Sequence, residues 1–309
     1  MEKKQLDLSK MARNFLPFLC LVIVIGIFQI ILGGSVFTST SLINELFTMI
    51  LGTTGMVFLV SQGCLDFSVA SNVAFSCIVA AAASQIAPAL SLPAALLCGI
   101  AIGAIVGVVH AILKVNSFIA SLSVSFILGG IVDVILANGS MSCPYSMLKW
   151  NSIPLRIAVA VAVAVIGFFV FEKTRVGKES KLVGGNPEFA QNCGINVKWV
   201  KIRGFMIMGA ICGLVAFFSL IRSGTASTTT GTGFEVNSLN AVLIGGLAIS
   251  GGPTSKFRSA VIGALVLGIL SVGMSLASVS SINQQLVEGI VYLLAICLTF
   301  DRKGMLVIK

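Results

Sequence analysis

Few side chains in this sequence are equipped for chemistry, and their spacing points away from catalysis. The one histidine, His110, closes an apolar run beside Lys114, so no second imidazole exists to complete a triad or share a metal. The eight cysteines fall singly, and Cys20, Cys64, Cys77, Cys98, Cys212 and Cys297 lie in or beside apolar stretches. With no C-x-x-C pair and no Cys/His cluster, neither a zinc site nor a disulfide framework is expected. The thiols read as small buried hydrophobes. The sequence holds no Walker lysine, H-E-x-x-H pair or nucleophile elbow. The expectation is therefore no catalytic residue, no metal site and no cofactor bound by this chain.

Carboxylates are the other candidates. Glu45, Asp133 and Glu288 lie in or near apolar runs, where an ionisable group is costly and marks an ion or proton path unless it reaches water. Glu45 and Asp133 stand near the ends of their runs and Glu288 about one turn inside, which suits interfacial or structural roles. Asp66 sits in Gly63-Cys64-Leu65-Asp66-Phe67-Ser68-Val69-Ala70-Ser71. There it is either the N-cap of the helix that follows or a coupling-ion ligand that lacks a partner carboxylate.

The elements that must position these groups belong to a membrane protein. Of 309 residues, 57% are hydrophobic and 10% charged, and the mean hydropathy is +1.05; soluble domains carry about 25% charged residues. Backbone groups in lipid must bond internally, which leaves helices or a closed barrel. Continuous apolar runs, as at 96–112 and 157–171, replace the alternation that barrel strands require. The fold class is thus all-α and integral to the membrane. About ten spans are expected, near 14–33, 43–61, 68–87, 92–113, 118–137, 154–172, 204–221, 237–250, 258–277 and 284–300. The eighth is short and rich in glycine, as a tilted or broken helix would be. Gly99, Gly103 and Gly107 recur every four residues in the fourth, a pattern that lets helices approach closely.

Charge orients these spans. With both termini cytoplasmic, 17 of the 20 basic residues fall on the cytoplasmic side, as the positive-inside rule requires. They include Lys3, Lys4, Lys10 and Arg13 at the start, seven residues in the loop 173–203, and Arg302, Lys303 and Lys309 at the end. Residues 1–13 and 301–309 become cytoplasmic segments flanking one transmembrane domain, 14–300. Lys149, Arg156 and Arg222 are left outside, where they are weak candidates for docking an extracytoplasmic protein. The net charge of +9 is explained by topology, without nucleic acid.

The loop 173–203 carries a short helix of its own. Asn186 is an N-cap, Pro187 suits the first helical position and Glu188 complements the positive end of the dipole. Gly194 ends it as the C′ residue. Alone, such a helix could simply lie on the membrane surface.

Several stretches together resemble the permease family of sugar-type ABC importers, the ribose/xylose/arabinose group. Val183-Gly184-Gly185-Asn186-Pro187-Glu188-Phe189-Ala190, continuing to Gly194-Ile195-Asn196-Val197, is similar to that family's cytoplasmic GGN-P-E segment. Gly231-Thr232-Gly233-Phe234-Glu235 with Gly245-Gly246 and Ser250-Gly251-Gly252 resembles its G-x-G-x-E…GG…SGG stretch. Gly63 to Ser71 resembles its GGIDLSVGS, and Ser117-Phe118-Ile119-Ala120-Ser121-Leu122 its P-F-I-x-T-L. Departures are Cys64 and Ala70 at glycine positions, Ser123 and Gly129 in place of Gly and Arg, and Pro253-Thr254 after Gly252.

The resemblance implies a type II importer-like permease with a coupling helix carrying Asn186, Pro187, Glu188, Phe189, Ala190 and Gly194. It also implies hinge or gate positions at Gly63, Asp66, Gly245, Gly246, Gly251 and Gly252. The implied partners are a second permease subunit, a solute-binding protein and a cytoplasmic ATPase that holds ATP and Mg. The implied cargo is a monosaccharide or similar small polar solute, with nucleosides or a signalling sugar as alternatives. The rival class is an ion-coupled secondary transporter using Asp66, Asp133 or Glu288.

Overall fold

The computed structural model describes residues 2–32, 36, 39–137 and 139–299; the tail 301–309 with its three basic residues lies outside them. The fold is helical. Helix α1 is Glu2–Leu32, α2 Thr40–Ser61, α3 Val69–Ile86, α4 Ser91–Ile112 and α5 Ser117–Ile135. A single turn, α6, spans Tyr145–Leu148 before α7, Ile153–Phe168, which runs on into a π turn at Phe169–Lys173. Then come α8 (Arg175–Gly185), α9 (Pro187–Asn192), α10 (Val197–Ser223), α11 (Phe234–Ile244), α12 (Arg258–Leu276) and α13 (Ser281–Thr299). The only strands among the described residues, β1 (Met141–Ser142) and β2 (Thr225–Ala226), pair antiparallel in the connecting loops.

Seven of these helices are long and apolar enough to cross a membrane: α2, α3, α4 with its preceding turn, α5, α7, α10 and α12. The remaining expected spans coincide with the apolar part of α1, with α11 and with α13. Helix α1 starts at Glu2, so the stretch 2–13 continues the first span as helix. Helix α11 has 11 residues, about 16 Å of rise against a hydrocarbon core of about 30 Å. It is a half-length helix, and 245–257 is irregular loop. The expected eighth span of 237–250 is therefore shifted and shortened, because Gly245 caps the helix and Gly246, at φ +91°, turns the chain out of it.

The glycines of α4 find their partner in α10. A side chain at Gly99 would strike the Gly209 carbonyl, one at Gly103 the Phe205 carbonyl, and one at Gly107 the backbone of Ile202. The order reverses along the pair, so the helices run antiparallel with backbones in contact. Helices α2, α10 and α12 form the buried centre, while α5 and α7 turn Phe126, Ile127, Val161 and Ile166 outward, as helices facing lipid or another subunit do.

Candidate functional site

The short helix α9 forms as its sequence implies. Asn186 Oδ1 accepts the Phe189 N–H at 3.0 Å, Pro187 occupies the first turn, and Gly194 takes φ +80°. Ala190 packs inward against Val183 and Val200. Glu188 is exposed and Phe189 is 56% exposed, so the outer face of α9 is bare.

Helix α8, which precedes it, is bolted to the bundle on three sides. Lys181 Nζ pairs with Glu172 Oε2 at 2.6 Å and lies over the Phe171 ring. Glu172 Oε1 accepts the Phe257 N–H at 2.7 Å. Arg203 pairs with Glu179 at 2.8 Å, and Gln62 Nε2 donates to Ser180 Oγ at 3.0 Å. The sequence alone does not single out Glu172, Lys181 or Gln62. The one signal it offers is an acid standing where the sixth apolar run ends, with a lysine nine positions on.

Three of the expected hinge glycines converge beneath α8. The Gly252 N–H donates to the Ser61 carbonyl at 2.9 Å. Gly184, near the end of α8, lies against that carbonyl and the Gly252 amide, and Gly251 lies against the Val60 and Ser61 carbonyls. Gly63, Gly251 and Gly252 have φ of +70°, +68° and +99°, conformations natural to glycine. Gly245 and Gly246 are not part of this knot. Gly245 lies against the Ser259 carbonyl at the start of α12, and Gly246, at φ +91°, turns the chain after α11.

Asp66 stands just beyond, buried, and accepts the N–H and the hydroxyl of Ser68 at 2.8 and 2.6 Å. Burial raises its pKa while these bonds oppose the rise. The loop is pinned on both sides of Asp66, since Ser117 Oγ accepts from Leu65 N at 3.1 Å and Ser121 Oγ from Phe67 N at 3.0 Å. Asp66 thus shapes the entry to α3. His110 Nδ1 lies 2.7 Å from the Val115 carbonyl. A carbonyl only accepts, so the ring proton sits on Nδ1 and Nε2 can accept from the Cys64 thiol at 3.4 Å. Burial pushes that thiol up to about 11. A basic hollow of about 320 Å³ opens beside α9, between His110, Lys114, Lys198 and Lys201.

At the opposite end of the bundle, a polar cavity of about 380 Å³ lies between α2, α10 and the start of α11, with Glu45, Arg222, Ser227, Thr229, Thr230 and Asn237 in its wall. Gly52, midway along α2, meets Phe234 and Ser238, so α11 begins deep in the bundle and its N-terminus faces this cavity. Lys149 and Arg222 are exposed. Arg156 corrects the expectation of an outward docking residue. It is 4% exposed and donates to Asn44 Oδ1 of α2, because α7 turns its first polar residue toward the bundle. Asp133 is exposed, Glu45 and Glu288 are half-buried, and among the described residues no cluster could hold a metal.

A bundle with seven helices able to cross a membrane, in which a short capped helix follows a knot of closely packed glycine backbone, suits a transport permease, and the sequence comparisons agree. Residues 38–296 match the family model for the permease component of branched-chain amino acid transport systems, and the chain belongs to that family. Its curated relatives include the ribose import permease RbsC of Escherichia coli K12, 32% identical with 82% of this chain and 85% of the relative covered. The L-arabinose permease AraH of Azospirillum brasilense is 31% identical over 78% and 73%. The D-allose permease AlsC of E. coli K12 is 28% identical over 96% and 94%. No solved structure matches. The protein is a multi-pass transport subunit of the inner membrane.

Proposed function

We propose that this chain is the permease subunit of an ATP-binding cassette importer for a monosaccharide or similar small polar solute. A binding protein delivers the solute, two permease subunits enclose its path, and a separate cytoplasmic ATPase holds ATP and Mg and hydrolyses the nucleotide. The relatives named for ribose, arabinose and allose support the substrate class.

One observation carries the mechanism: α9 continues from α8, and α8 rests backbone-on-backbone against Ser61 and Gly252. A displacement of α9 by the ATPase is transmitted to α2 and to the loop 245–257 through rigid elements. Asn186 and Gly194 fix the two ends of α9; Glu188 and Phe189 form the contact face, and Ala190 anchors it. Gly63, Gly251 and Gly252 are the hinge, with Asp66 holding the turn, while Gly245 and Gly246 let α11 move against α12.

In this reading α1, α11 with its following loop, and α13 complete ten crossings with both termini cytoplasmic. That arrangement puts the basic loop 173–203 on the ATPase side. Lys149 remains free to meet acids of the binding protein.

The test is uptake into proteoliposomes containing the permease, its ATPase and its binding protein. Accumulation of labelled pentose or hexose that requires all three and ATP is expected. Uptake by the permease alone under a proton or sodium gradient would overturn the reading.

A further inference from the structure

The polar cavity at the head of α11 has more positive charge than a neutral sugar can use. Arg156 is 4% exposed; one guanidinium nitrogen serves Asn44, while Nε and Nη2 have no hydrogen-bond partner among the described residues. Arg222 stands close enough for the two cations to repel. The small recess in which Arg156 lies shares Thr48, Val215, Ser219 and Arg222 with the wall of the larger cavity, so the two spaces adjoin. Buried unpaired charge is strongly unfavourable, and a counter-charge relieves it.

The acids nearby do not supply one for both. Glu45 lines the cavity with Arg222, whereas Glu235 and Glu288 line neither space; Glu288 lies near enough to Glu45 for their charges to repel. The N-terminus of α11 adds its positive dipole from the cavity floor. Around these cations stand Ser227, Thr229, Thr230 and Asn237, donors and acceptors suited to hydroxyl groups. The volume of about 380 Å³ lies within the range of small-molecule sites, about 300–1,000 Å³.

We propose that this cavity is a binding site for a sugar acid, an aldonate or uronate, whose carboxylate is taken by Arg222 with Arg156 behind it and whose hydroxyls meet the Ser/Thr/Asn wall. The proposal rests on the permease reading above and narrows its substrate. A single ligand then supplies the missing negative charge and the polyol pattern together.

The experiment is equilibrium binding to the purified full-length permease in lipid nanodiscs, without ATPase or ATP. The probes are D-glucuronate, its neutral amide D-glucuronamide, D-glucose and acetate. Saturable glucuronate binding, about tenfold or more tighter than that of the amide, glucose or acetate, is expected. Arg222→Gln, at an exposed position, and Arg156→Met should each bring glucuronate down to the level of the amide. Equal affinity for glucuronate and its amide, or no saturable binding of either, would overturn the proposal. So would variants that change subunit association but leave the glucuronate preference intact, since the guanidiniums would then serve a second copy. Should Arg156→Met fail to fold, Arg222→Gln decides the matter. ATP-driven uptake is measured separately, so this site can fail while the importer reading stands.

Discussion

The Gly252 amide donates to the Ser61 carbonyl across 2.9 Å, and Gly184 lies against the same carbonyl. One backbone oxygen thus joins the end of α2, the loop that follows α11 and the helix that leads into α9.

A side chain at position 184 has no room there, because its Cβ would fall on backbone that cannot rotate away. Gly184→Val is expected to lower stability by about 1–3 kcal/mol and to abolish ATP-driven uptake. Gly130→Ala, with nothing within 4 Å of the new Cβ, should be neutral or slightly stabilising as a helical Gly→Ala change. Thermal melting of the two purified variants separates these outcomes.

The outer face of α9 is exposed and makes no contribution to the core, so its variants should fold normally. Glu188→Lys and Phe189→Asp are expected to leave the melting temperature within about a degree, as surface changes of about ±0.5 kcal/mol do. They should nonetheless reduce co-purification with the ATPase. Undiminished association would remove the coupling role from this face.

Glu172 holds Lys181 through one oxygen and the Phe257 amide through the other. Glu172→Gln should cost about 1–3 kcal/mol, since it weakens a charged acceptor shared by two donors. In a double-mutant cycle with Lys181→Met, a coupling of about 0.5–3 kcal/mol is expected. Additive effects would show that the pair is solvated and inert.

Cys64 and Cys193 should differ sharply in reactivity. Cys64 is buried and its thiol is pushed up to about 11 from 9.0, while Cys193 is exposed. The thiolate is the nucleophile, so at pH 7.5 maleimide should modify Cys193 rapidly and Cys64 only after unfolding, as peptide mass spectrometry would show. A raised folded-state pKa favours the native state while the thiol is protonated. Its contribution is therefore complete below pH 9.0 and lost as pH climbs through about 11. Faster labelling of Cys64 than of Cys193 in the native protein would contradict the buried position.

Much of this architecture is legible along the chain. The capped helix at 187–192 follows from Asn186, Pro187 and Gly194, because caps act within a few residues of chain. The glycine repeat of α4 announces a close helix contact, although only the fold identifies α10 as its partner. Arg156 departs from expectation because a charge at the head of an apolar run looks the same whether it faces water or the bundle. Glu172 and Lys181 stay inconspicuous for a related reason, since each is an ordinary loop-end charge until the π turn brings them to 2.6 Å.

By itself, the sequence determined that the chain lies in a membrane, that it is helical, and where most helices begin and end. These depend on local hydrophobicity, capping and charge, which are written along the chain. The tertiary structure alone decided that Ser61, Gly184 and Gly252 meet, that α11 stops at half length inside the bundle, and that Arg156 and Arg222 line one small recess beside the polar cavity. Those relations join residues far apart in the chain or depend on how a helix is rotated, and no local pattern encodes either.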